Sequence, residues 1–243
     1  TAVILVSGGI IPALEMYVPS PATFYILRFL LGAAEAGFIP AILYYLTIWF
    51  PSSHRGKASA LFLAGIPLSG MIGGPLSGYI MSAMDGLWGH AGWQWMFLLE
   101  AIPAVILGIV CLLFLNNTID EARWLSAAEK EQIKSDVARE AKDKPLHSMR
   151  DGWTNGRVWL LSFTYFFFTM GLYGLSFWLP SIIKATGVKD PLDVGLLTAI
   201  PYAGALIAMY LIGRSSDHFQ ERRWHLALPA VVGAAGLVLS VLY

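Results

Sequence analysis

Seven apolar blocks, each about 17–27 residues long, dominate this chain, and that length decides the fold class before any motif is considered. At about 1.5 Å per helical residue, some 20 apolar residues cross a hydrocarbon core about 30 Å thick. The blocks run over about 1–17, 22–49, 57–83, 93–115, 158–183, 193–213 and 225–243. The expected fold is therefore an all-α membrane protein with roughly seven spans, the first and last touching the chain ends. Only 13% of residues are charged, against about 25% in a soluble domain. The formal net charge is zero, so nothing points to nucleic acid. A lone cysteine, Cys111, gives neither a disulfide framework nor a metal site. The chain opens on an apolar stretch without a basic leader or cleavage site, and this start reads as a helix cut partway through.

Orientation follows from the placement of Lys and Arg. The connections at 51–57, 116–157 and 214–223 hold 13 of the 16 basic residues, whereas the alternate ones hold only Lys184 and Lys189. The positive-inside rule assigns the basic side to the cytoplasm. Trp49, Phe50, Trp88, Trp93, Trp95 and Trp153 lie at the expected boundaries, where aromatic belts form. The long segment 116–157 is polar. Ser126 and Glu129 have capping-box spacing ahead of a charged helix from Lys130 to Lys142, which is expected to be a solvated linker helix.

The sixteenth basic residue, Arg28, lies inside the second block with Glu35. A seven-residue spacing puts both on one helix face, about two turns or roughly 10 Å apart. Charges at such depth cost at least about 2.5–3.5 kcal/mol each on insertion scales, so they face a bundle interior or a watery cavity. Either they form a structural salt bridge, with each other or with neighbouring helices, or they work on a substrate. In the second case Arg28 suits an anion, because its planar fork grips a carboxylate bidentately. Glu35 suits a proton that is loaded and released.

Other residues carry weaker signals. Gly70, Gly74 and Gly78, with Pro75, form a small-residue stripe suited to close helix packing or to a hinge. Gly213, Arg214, Asp217, Arg222 and Arg223 end the sixth block on the basic side, as a solvated turn or as a charge network that holds a gate. Tyr173, Ser176 and Trp178 in the fifth block either pack or line a cavity for a small organic anion. Glu100 is expected near the outer interface, and the five histidines are expected to be solvated. No nucleophile–base set, Walker or zinc-protease pattern is present, so no enzyme activity is expected.

Taken together, several stretches resemble the major facilitator superfamily. They are Arg28 to Pro40 (RFLLGAAEAGFIP), Trp49-Phe-Pro51, Gly73 to Gly78, Gly92 to Glu100 and Glu121 to Ser126. The likeness is greatest to the anion:cation symporter branch, with its bacterial tartrate, phthalate, hexuronate and galactonate carriers. The resemblance implies a partial two-bundle fold, with about seven of twelve helices. Residues 1–115 would be the third to sixth helices, 116–157 the central cytoplasmic loop, and 158–243 the seventh to a partial ninth. It implies that Arg28 binds substrate, that Glu35 couples to protons, that Gly70 to Gly78 is the fifth-helix motif and that Gly213 to Arg223 is a gating motif.

The expected function is proton-coupled symport of a small organic acid anion by alternating access. The alternatives are an uncoupled facilitator or an exchanger. No cofactor beyond the proton is expected. The expected setting is a bacterial inner membrane, with lipid as the surrounding partner and the full-length protein a monomer.

Overall fold

The computed structural model describes residues 2–142 and 149–242. Lys144 and His147 of the basic segment, and the end residues Thr1 and Tyr243, lie outside the described residues. The chain forms α1 (Ala2–Glu15), α2 (Pro21–Glu35), α3 (Phe38–Trp49), α4 (Ser52–Leu63), α5 (Gly65–Ala83) and α6 (Gly92–Phe114). It continues through α7 (Ala127–Lys142), α8 (Met149–Thr154), α9 (Gly156–Ala185), α10 (Pro191–Phe219) and α11 (Arg223–Leu242), with no strand among the described residues. Among the described residues, six stretches are long and apolar enough to cross a membrane, and α1 is a shorter apolar helix.

Two expected spans are each broken in two, for one reason. Proline lacks the N–H that would bond to the carbonyl four residues earlier. Pro40 cannot serve Ala36, and the second span divides at Ala36–Gly37, immediately after Glu35. Pro67 cannot serve Leu63, and the third divides at Ala64. Hydropathy averaged over a span does not register such breaks.

The chain forms two compact units, Thr1–Leu63 with Leu76–Leu146, and Ala64–Pro75 with His147–Tyr243. In the first unit α1 packs along α6 because small residues let the backbones meet. A Cβ at Gly9 would lie 2.9 Å from the Ala101 carbonyl oxygen, and one at Gly108 would lie 2.9 Å from the Val6 nitrogen. Gly92 at the start of α6 meets the Met81 carbonyl of α5 as closely, where a Cβ would come within 2.1 Å. Met16, Ile80 and Trp95 form the core at that end.

A second cluster joins Trp49, Ile119 and Ala122, and Ile133 of α7 packs against it. The polar helix is therefore docked on the membrane bundle through one apolar side chain rather than wholly solvated. Its start is the expected capping box: Glu129 N–H donates to Ser126 Oγ at 3.3 Å, and Ser126 N–H donates to Glu129 Oε2 at 2.9 Å. Two of the boundary tryptophans are also core residues, since Trp49 and Trp95 are buried while Trp88 and Trp153 are exposed.

The Ser126 hydroxyl, followed by its N–H, holds the Glu129 carboxyl below the usual carboxylate range. A group depressed in this way supports the helix start above its unfolded pKa, and that support is lost as pH falls through the folded value. The carboxyl carbon of Glu129 should therefore titrate by NMR below an ordinary glutamate, and Ser126→Ala, which removes the hydroxyl and keeps the N–H, should raise it toward the ordinary range. An unchanged titration in the alanine variant would refute the cap as the cause.

Candidate functional site

In the first unit α1 and α2 run antiparallel across the short Met16–Ser20 connection. Ser20 caps α2 by accepting from Thr23 N–H at 3.3 Å, and Pro21 fills a first-turn position where no N–H is needed. Residues seven apart share a helix face. On α2 these are Arg28 and Glu35, and on α1 they are Gly8 and Glu15. The two faces meet.

Arg28 Nη2 lies 3.1 Å from Glu15 Oε2. A Cβ on Gly8 would lie 3.1 Å from Glu35 Oε1. The facing pairs thus form two layers about two helical turns apart, one joining guanidinium to carboxylate and the other joining carboxylate to glycine.

Arg28 and Glu35 do share a face, as their spacing implies, but they do not pair with each other. Arg28 turns toward the start of its helix, the direction in which helical side chains lean, and so reaches Glu15 at the end of α1. The guanidinium also lies over two rings, 5.0 Å from the Phe24 centroid and 4.8 Å from that of Phe97 on α6. Its side chain is 42% exposed, whereas that of Glu15 is fully buried. Glu35 accepts no hydrogen bond and makes no ion pair among the described residues, and it remains exposed beside the glycine. Glu100, about 12 Å along α6 from Gly92, accepts a hydrogen bond from Ser77 of α5.

Glu15 is the site residue that sequence reasoning missed. The sequence carries only an indirect sign of it. Glu15 is an isolated acid ahead of a short connection, and it mirrors Arg28 about the same chain position, between Pro21 and Ala22, at which Gly8 mirrors Glu35.

In the second unit Ser176 of α9 accepts a hydrogen bond from Tyr202 of α10 at 3.0 Å, so Tyr202 is another missed residue. Gly70 packs on the Tyr202 ring, where a Cβ would lie 2.7 Å from ring carbons. Gly74 meets Gly195, where a Cβ on Gly195 would come within 2.2 Å of the Gly74 carbonyl oxygen. The early part of the glycine stripe is thus a surface of close approach to α10. Pro75 lies within α5, and Gly78 is buried. Tyr173 stacks on Phe177 at 5.7 Å, and Trp178 is exposed. Trp178 lies two residues from Ser176 and hence about 160° round the helix, so the three do not line one surface.

Where α10 meets α11, Asp217 pairs with Arg222 at 3.3 Å, both exposed. Gly213 and Arg214 lie within α10. Glu221 caps α11, accepting from the N–H groups of Arg223 at 2.7 Å and Trp224 at 3.0 Å. His225 bridges Glu221 at 3.1 Å and Ser215 at 2.9 Å. Partial desolvation pushes the Glu221 carboxyl up, but the bonds from Trp224, His225 and Arg223 outweigh it and hold it below its usual value. The network at this end includes the expected aspartate and an arginine, and also a glutamate and a histidine that were not expected in it. His225 corrects the expectation of a solvated histidine. His90 is half-buried and lies edge-on to Tyr17 and Trp95.

Comparison with known proteins places this geometry in context. The chain is 49% identical over 243 residues to a putative metabolite transport protein, NicT, of Pseudomonas putida, covering 99% of this chain and 55% of that protein. It is 44% identical over 239 residues to a putative tartrate transporter of Agrobacterium vitis, covering 98% and 53%. It is 38% identical over 244 residues to a quinolone resistance transporter of Acinetobacter baumannii, covering 98% and 55%. The chain therefore spans about half the length of the curated relatives it matches. The family model described as Major Facilitator Superfamily matches residues 1–243. With its apolar spans and the charged face within one of them, this multi-pass membrane chain belongs to the Major Facilitator Superfamily of transport proteins.

Proposed function

We propose that the complete transporter containing this chain is a proton-coupled symporter of a small organic acid anion, working by alternating access. The observation that carries the proposal is the charged face of α2, with a guanidinium in one layer and an unpaired carboxylate in the other, inside an apolar span. Arg28 is the anion-binding group and Glu35 the proton carrier. Tyr173 and Ser176 contribute to the substrate cavity, with Tyr202 beside Ser176, whereas Trp178 faces away from them round α9. Gly70, Gly74, Pro75 and Gly78 allow α5 to approach and part from its neighbours. Gly213, Arg214, Asp217, Arg222 and Arg223 form the basic-side gate. That side is cytoplasmic by the positive-inside rule, and a bacterial inner membrane suits the bacterial relatives.

An organic acid is supported by the tartrate name of one relative and by the preference of arginine for carboxylates. The test is uptake into proteoliposomes of a labelled panel comprising L-tartrate, gluconate, benzoate and a fluoroquinolone, with and without an imposed proton gradient. Accumulation of a carboxylate above equilibrium when the outside is acid is the expected result. Equilibration without accumulation would instead establish a facilitator or exchanger. Transport of the fluoroquinolone alone would move the substrate class to drugs.

A further inference from the structure

We propose that Glu15 is an internal ligand of Arg28, a carboxylate that occupies the guanidinium until a substrate carboxylate takes its place, and so sets the anion affinity of the site. This rests on Arg28 being the anion-binding group. Glu15 is fully buried, yet neither of its oxygens accepts an aligned hydrogen bond among the described residues. A buried ion pair that serves the fold alone is normally finished with hydrogen bonds on its remaining lone pairs. This one is not. Its stabilisation comes from one guanidinium nitrogen at 3.1 Å. Arg28 in turn is 42% exposed, and a guanidinium carries five donors, so an arriving carboxylate finds free ones.

A groove lies beside the pair, lined by neither Arg28 nor Glu15. Phe24 and Phe97, the rings that flank the guanidinium, line this groove of about 580 Å³ with Tyr25 and Trp93. A volume of this order suits a small organic molecule. The charged and titratable groups on the elements around Glu15 are few. On α2 they are Tyr25, Arg28 and, two turns on from Arg28, Glu35. On α6 there are Glu100, bonded to Ser77, and Cys111 toward the far end, the neutral Gln94 donates to the Met16 carbonyl at 2.6 Å, and His90 ahead of α6 lies edge-on to Tyr17. Arg28 is thus the single cation facing Glu15 among the described residues. A substrate carboxylate that takes the guanidinium leaves Glu15 without a counter-charge, and charge balance is restored when Glu15 takes a proton from water. Anion binding and proton uptake are then linked at this pair.

The experiment is phenylglyoxal modification of Arg28 in the complete transporter, followed by mass spectrometry, in the wild type, Glu15→Gln and Glu15→Asp. Each is labelled with and without L-tartrate, succinate, gluconate or benzoate. Arg28 should react at least about tenfold faster in the Gln variant, and the Asp variant, whose shorter side chain loosens the pair, should fall between. A carboxylate that protects Arg28 should do so at lower concentration in the Gln variant. Equal labelling rates in monodisperse wild type and either variant, with protection seen in all, would overturn the role of Glu15 and leave Arg28 as the anion site. Absence of protection by every carboxylate in every protein would overturn the anion-site assignment itself, and the proposal with it.

Discussion

Arg28→Ala in the complete transporter should lower thermal stability and abolish carboxylate binding, and adding Glu15→Gln should restore the stability but not the binding. The alanine variant strands a fully buried carboxylate with no other cation facing it among the described residues. Breaking a buried ion pair by removing one partner costs about 3–5 kcal/mol. Because the Arg28 side chain is 42% exposed, solvent already screens the pair, and a loss of about 2–3 kcal/mol is the better expectation. Neutralising Glu15 in the same protein removes the stranded charge, so most of that loss returns.

Binding behaves differently. A bidentate arginine–carboxylate contact comprises two charge-assisted hydrogen bonds of about 1.5–3 kcal/mol each, so its removal should raise Kd by at least about 100-fold. No change at Glu15 supplies that contact. Arg28→Lys should fall between, since it keeps the charge and loses the fork. Thermal unfolding and carboxylate binding on the four proteins of the double-mutant cycle separate the two roles. Carboxylate affinity unchanged in Arg28→Ala would make the residue purely structural. Recovery of both properties in the double variant would show that binding was lost only through misfolding.

This expectation rests on a partner that the sequence did not announce. The apolar spans and the capping box at Ser126 were readable because each depends on local composition or on residues three or four apart. The shared face of Arg28 and Glu35 was readable for the same reason, since seven residues return a helix to nearly the same side. The partner of each was not, because it depends on how α1 and α2 slide past one another.

Packed contacts such as Gly9 on Ala101 and Gly108 on Val6 hold α1 against α6. With α1 held there, Glu15 falls opposite Arg28 and Gly8 opposite Glu35. Tyr202 and His225 were missed for a related reason. Each bonds to a different helix, at Ser176 and Ser215, and neither spacing is visible along one helix. The break after Glu35 belongs to a third kind. It was present in the sequence as Pro40, but it is invisible to any measure that averages apolarity over a span.

That break bears on the second large effect, expected for Glu35→Gln. In proteoliposomes this variant should lose gradient-driven accumulation of the carboxylate while still exchanging it across the membrane. Glu35 ends α2 at the point where the span is interrupted, with exposed surface and neither hydrogen bond nor ion pair among the described residues. A carboxylate without a fixed partner is free to alternate between charged and neutral forms, whereas Glu15, locked to Arg28, needs a substrate to release it. Glutamine copies the shape and the neutrality of the protonated acid and cannot leave that state. The loaded carrier therefore still reorients, which is all that exchange requires. The return step, in which the proton must have been given up, is blocked, and net accumulation falls to background. Gly8→Ala supplies the steric control. Its Cβ would sit 3.1 Å from Glu35 Oε1, so the carboxylate must shift by a few tenths of an ångström without losing its titration. That variant should transport more slowly while its accumulation still follows the proton gradient. Gradient-dependent accumulation surviving in Glu35→Gln would remove Glu35 from the coupling step and leave the displaced Glu15 as the residue that takes the proton.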